Sequence, residues 1–154
     1  MNQVFATELP GFSGLHQHMA PTDFLDCYAV KSSLAPRPAA QIVTSFPAWA
    51  RGLLVIRRIM TTPFGLSNDG PDAPDKLGPF PVEHESEREL IAGFNDKHLN
   101  FRVSLISSDG VVYLSTWVKP HHFGGRLYLR SIMPFHILIA RNGLKRVAAA
   151  SVPS

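Results

Sequence analysis

Residues 99–119 read LNFRVSLISSDGVVYLSTWVK, and this stretch decides the architecture. From Leu99 to Ile106 apolar and polar residues alternate. Leu99, Phe101, Val103 and Leu105 share one face, while His98, Asn100, Arg102 and Ser104 share the other. A period of two marks an extended strand. Asp109-Gly110 is a strong two-residue hairpin signal, because both residue types tolerate the left-handed backbone that such a turn needs. Val111 to Lys119 alternates again, with Val112, Leu114, Thr116 and Val118 opposing Tyr113, Ser115 and Trp117. Strands joined by so short a turn are antiparallel.

Upstream, Val82 to Phe94 is a less regular strand, its alternation blurred by acidic and basic residues. Before it, residues 68–81 carry Gly70, Pro71, Pro74, Gly78, Pro79 and Pro81 and read as a loop. Asp23 to Val30 (DFLDCYAV) is the first strand, with Phe24, Tyr28 and Val30 on one face and Leu25, Cys27 and Ala29 on the other. Pro36 and Pro38 end it. A helix from about Ala39 to Phe46 follows, and Pro47 opens a second from about Ala48 to Thr61. Trp49, Leu53, Ile56 and Met60 recur there at helical spacing.

Downstream, Arg126 to Ala149 reads as a long helix. It is apolar almost all round between Ile132 and Ala140, which predicts burial on most sides. Pro134 is expected to kink or split it, and Arg141, Lys145 and Arg146 suit the negative end of a helix dipole. The element order gives an α+β fold: an antiparallel β-sheet wrapped around a long C-terminal helix, with two short helices after the first strand.

The 154 residues fit a single domain, 1–154, with residues 1–20 and 148–154 as loosely packed ends. Apolar residues at 45% and aromatics at 10% are enough for a core and argue against disorder. One cysteine, Cys27, excludes an internal disulfide framework or a multi-cysteine zinc site. A formal charge of +3 is too slight for a dedicated nucleic-acid binder. The first twenty residues contain no Lys or Arg and no long apolar run, so no secretory signal is read there. Residues 48–60, the best membrane candidate, are interrupted by Arg51, Arg57 and Arg58 and are too short to span. The cytoplasm is therefore the expected compartment, which suits a lone reduced thiol.

Three stretches carry a family resemblance. Glu89 to Val103 (ELIAGFNDKHLNFRV) resembles the centre of domain-of-unknown-function family 2867, an uncharacterised bacterial family. Pro47-Ala-Trp49, with Leu54-Val-Ile-Arg57 and Phe64-Gly-Leu66, is similar to its helical part, and Tyr128 to Val147, with Ile132-Met-Pro134-Phe-His136, to its closing helix. The loop at 68–81 and the N-terminal extension depart from the pattern. The resemblance implies a small relative of the helix-grip fold shared by START lipid carriers, pollen-allergen-like proteins and polyketide cyclases. It implies no particular activity, since fold is not function.

Several constellations are candidate sites. Asp96, His98, Asn100 and Arg102 fall within seven residues, and the even positions share a strand face. A carboxylate beside an imidazole can orient a general base, and Arg102 can pair with an anion. The competing reading is a structural ion-pair network with Glu87 or Glu89 as the partner of Arg102. His16 and His18, and His121-His122, are paired imidazoles without a further ligand, so no metal site is assigned. His136, inside an apolar helix, is a satisfied core residue or, if it faces a cavity, the pH-sensitive group there. Cys27 reads as buried packing, and Gly124-Gly125 as a turn. Trp49 with Arg51, Arg57 and Arg58, and Tyr113 with Trp117, lack the repeated stacking platform of a nucleic-acid binder.

No serine elbow, phosphate loop or dinucleotide fingerprint occurs, and no cofactor is implied. The expected function is binding of a small apolar or amphipathic molecule between sheet and C-terminal helix. Phe101, Val103, Trp117, Phe135 and Leu138 are wall candidates, with His98, Arg102 and His136 as orienting groups. The alternatives are a small cyclase- or hydratase-like enzyme, with Asp96 and His98 handling protons and Arg102 holding an anion, or a filled-core interaction protein. A monomer or homodimer fits each.

Overall fold

The computed structural model describes residues 3–17, 23–44, 76–77, 80–95, 99–121 and 123–150. The hairpin that decides the fold forms as the alternation predicts. It joins β6 (Leu99–Ser108) to β7 (Val111–Pro120), with Leu105 opposite Leu114 and Ser104 opposite Ser115. Asp109 and Gly110 take φ of 53° and 76°, the doubly left-handed turn whose twist matches the strands it joins.

Around this hairpin lie β1 (Phe5–Ala6), β2 (Phe24–Lys31), β3 (Lys76–Leu77), β4 (Phe80–Glu85) and β5 (Glu89–Asn95). All pairings are antiparallel, in the order β1-β2-β7-β6-β5-β4-β3. The first long strand thus pairs with the last, and the intervening strands step outward from it. The irregular stretch 82–94 is two strands rather than one. The hydroxyl of Ser86 accepts from the backbone N–H groups of Arg88 and Glu89 at the turn between them. A register shift between Val82 and His84 takes Glu83 out of alternation, which is why the pattern blurs. Gly93, at φ +144°, leaves room for β6: a Cβ there would collide with the carbonyl oxygen of Phe101.

The first helix, α1 (Pro36–Val43), begins at the proline expected to precede it. A proline in the first turn loses no intrahelical bond, and its fixed φ suits a helix start. The hydroxyl of Thr44 donates to the carbonyl of Ala40 at the other end. The second helix read over 48–61 lies outside the described residues.

The last helix, α2 (Phe123–Ala150), runs unbroken through Pro134. Pro134 and Arg130, whose carbonyl loses its intrahelical donor, are both exposed, so water can serve that carbonyl. The stretch expected to be buried on most sides is not: Phe135 is 46% and Leu138 58% exposed. Burial concentrates instead at Ala140, Gly143, Leu144, Val147 and Ala148, whose spacing puts them on the stripe facing the sheet. The helix also extends past Arg146, so its last turn holds no basic residue. Arg146 instead donates to the carbonyl of Ile42, at the end of α1. Gly143 permits the close approach of α1 and α2, with Val43 only 3.3 Å from where its Cβ would be.

The sheet is covered on both faces. On one side Val30, Val112, Leu114, Leu90 and Leu105 pack with α1 and with Leu144 and Val147 of α2. On the other, Ile91 and Trp117 pack with Leu15, and Leu9 and Leu25 join them. Leu15 belongs to a 3₁₀ turn (Gly14–Gln17) within the segment read as a loose extension, in which Val4, Ser13 and Leu15 are all buried.

That cover is fastened by the buried carboxylate of Glu89. It accepts from the hydroxyls of Ser13 at 2.6 Å and Ser104 at 2.5 Å, and from the N–H of Gly14 at 2.8 Å. The neighbouring Arg88 lays its guanidinium 3.9 Å over the ring of Phe12. Glu89→Ala leaves three donors, two of them buried, without an acceptor and is expected to cost about 2–4 kcal/mol. Urea unfolding measures this, and limited proteolysis should cut the N-terminal segment sooner. A loss under about 0.5 kcal/mol, the level of an ordinary surface change, would show that the carboxylate does not fasten the segment.

Candidate functional site

Residues opposite one another in an antiparallel pair share a face, so the register assigns every strand side chain to one side of the sheet. Phe24, Asp26, Tyr28 and Val30 of β2 lie on the side covered by α2, with Val112, Leu114, Thr116 and Val118 of β7. Arg102 pairs with Trp117, and Trp117 with Leu25, which puts all three on the opposite side.

This divides the residues singled out from the sequence. Trp117 is 1% exposed beneath Leu15, and its indole N–H donates to Asp23 at 2.9 Å, so it is core on the face away from α2. Arg102 lies on that face too. Its partners are Glu83 at 3.0 Å and Asn100 at 2.6 Å, not Glu87 or Glu89. Gly93 opposite it has no side chain, so the guanidinium reaches across β5 to the bulged Glu83 of β4. Phe135 projects from the outer part of α2. Asp96 and His98 lie outside the described residues, as do His18, His122 and the arginines at 51, 57 and 58. His16 bonds to the carbonyl of Pro10 through Nε2. Among the described residues no cluster of three or more His, Cys, Asp or Glu could hold a metal.

His136 does face the sheet. Its Nε2 lies 3.0 Å from Oδ2 of Asp26, and its ring meets that of Phe24 edge-on, with centroids 6.3 Å apart. An ionised carboxylate only accepts, so Nε2 carries the proton and Asp26 fixes the tautomer. The second carboxylate oxygen, Oδ1, is buried with no hydrogen-bond partner among the described residues. Asp26 was missed in the sequence, although the signal was there. It is the one charged residue on a strand face otherwise made of Phe24, Tyr28 and Val30.

Beyond this pair, where β2 begins and β7 ends, sheet and helix diverge. A groove of about 490 Å³ opens between them. Its apolar wall is Phe24, Pro120, Leu129 and Met133, with Phe24 standing between the groove and His136. Lys119, Arg126 and Arg130 give it positive charge and Asp23 one negative. Arg126, Leu129, Arg130 and Met133 share a helix face by their spacing of three, four and seven. The groove exists because α2 is anchored by its C-terminal half, leaving Leu129 and Met133 only half-buried.

Cys27, on the opposite face of β2, is buried and unpaired. Burial pushes its thiol above the ordinary pKa. The Ser115 hydroxyl opposes this and the negative charge of Asp26 adds to it. Such a thiol is a packing residue, not a nucleophile.

Fold and groove together define a small α+β protein whose antiparallel sheet is overlaid by its C-terminal helix. The chain belongs to the family described as protein of unknown function, DUF2867, whose pattern matches residues 18–143. No curated protein and no solved structure matches it. No helix among the described residues is long and apolar enough to cross a membrane.

Two outcomes follow. A double-mutant cycle on Asp26→Ala and His136→Ala should give a coupling energy of about 1 kcal/mol, because neither group is more than a quarter exposed. A coupling near zero would mean the pair contributes nothing to docking α2. Iodoacetamide at about pH 8 should leave Cys27 largely unmodified in the native protein while labelling it promptly in denaturant. Equal rates would contradict its burial.

Proposed function

We propose that this chain is a cytoplasmic protein that binds a small apolar or amphipathic molecule in the groove between the end of the sheet and the first half of α2. The observation that carries the reading is the groove itself. Its volume is in the range of small-ligand sites, which run from about 300 to 1,000 Å³, and Phe24, Leu129 and Met133 give it an apolar wall. The helix-grip resemblance supports the same location, between sheet and closing helix. The lone buried thiol supports a reducing compartment.

Catalysis is a second reading, favoured by one observation. Asp26 orients His136 through Nε2, and Phe24, whose ring meets that of His136, lines the groove. A ligand that stays chemically unchanged on prolonged incubation would count against it. Turnover lost on Asp26→Asn with affinity retained would favour it.

The experiment is native mass spectrometry of freshly purified protein, then denaturation and extraction. A lipophilic mass that leaves on unfolding is expected. Met133→Trp, which fills the groove, should reduce its occupancy by about tenfold or more, the scale set by losing one good apolar contact. A bare mass, together with no uptake of a hydrophobic fluorophore, would overturn the reading.

A further inference from the structure

The charged groups around the groove specify what kind of molecule it takes. Seven arginine side chains are described, and five are engaged within the protein. Arg37 pairs with Glu85 and Arg102 with Glu83. Arg88 lies over Phe12, Arg141 reaches the carbonyl of Val4 and lies over Tyr28, and Arg146 bonds Asn142 and the carbonyl of Ile42. The other two, Arg126 and Arg130, make no ion pair among the described residues, and both line the groove with Lys119. Asp23, the only carboxylate among the described lining residues, accepts from the indole of Trp117.

Positions 126 and 130 are one helical turn apart on the same side of α2, flanking Leu129. Two guanidinium groups so placed suit an anionic headgroup, since each offers parallel N–H donors to carboxylate oxygens. The wall of Phe24, Leu129 and Met133 adjoins them, so charge and apolar surface meet in one small space.

We propose that the occupant is a free, single-chain amphiphile with an anionic carboxylate head. Lys119, Arg126 and Arg130 hold the head, and Phe24, Leu129 and Met133 hold the start of the tail. This rests on the groove being the binding site and deepens that reading by naming the ligand class.

Decanoate, decanol and decyltrimethylammonium share a tail and differ in head charge, so calorimetric titration with each separates the two claims. Decanoate is expected to bind about tenfold or more tightly than decanol, and the cation more weakly still, as charge-assisted hydrogen bonds of this kind imply. Arg126→Gln with Arg130→Gln should remove most of that preference, weakening decanoate far more than decanol, while the unfolding midpoint stays put because both side chains are exposed. Arg126→Lys with Arg130→Lys should restore part of it. Equal affinity for decanoate and decanol would overturn the headgroup assignment and leave the groove standing. No binding of any of the three would overturn both. Retention only by anionic phospholipid vesicles, with no binding of monomeric decanoate, would reassign the cations to a membrane surface and overturn the proposal.

Discussion

The structure depends on the burial of one strand on both faces. From Leu114 to Val118 five consecutive residues of β7 are buried, so neither side of the sheet centre can be left to water. The long helix with α1 covers one side, and the N-terminal segment covers the other. Neither cover is optional, because Trp117 and Leu114 project in opposite directions and each is large and apolar.

Two carboxylates sit beneath these covers and are satisfied differently. Among the described residues Glu89 has no cation paired with it and is held by two hydroxyls and a backbone N–H, an arrangement that fixes geometry by hydrogen bonds. Asp26 lies under the helix with an imidazole on one oxygen and, among the described residues, no partner on the other. The first arrangement is complete and structural. In the second, one carboxylate oxygen has no hydrogen-bond partner among the described residues, and Phe24 separates the imidazole from the groove.

The groove follows from how the helix is anchored. Small residues, Ala140, Gly143 and Ala148, let the C-terminal half of α2 lie close to α1 and the sheet. Before His136, which still bonds to Asp26 of the sheet, the helix carries bulkier and charged residues, and Leu129 and Met133 are only half-buried. The space left between helix and sheet is lined by Phe24, Pro120, Leu129 and Met133 together with Lys119, Arg126, Arg130 and Asp23.

Periodicity alone determined the hairpin, its turn, the strand that pairs with it and the long final helix. Those are local properties: a side chain's face follows from odd and even numbering, and Asp109-Gly110 specifies its turn without help from elsewhere. Element order sufficed for the α+β class, and the resemblance carried by stretches such as Glu89 to Val103 pointed to the family. Which face is which was not legible, because alternation says that Phe101 and Arg102 point apart without saying which of them looks at the helix. Only the register against β2 and β7 puts Arg102 and Trp117 on the far side and Asp26 under His136. The pairings Asp26–His136 and Glu89–Ser13 join residues 110 and 76 positions apart. No local pattern encodes contacts at that separation; they exist only once the sheet has brought its first strand beside its last.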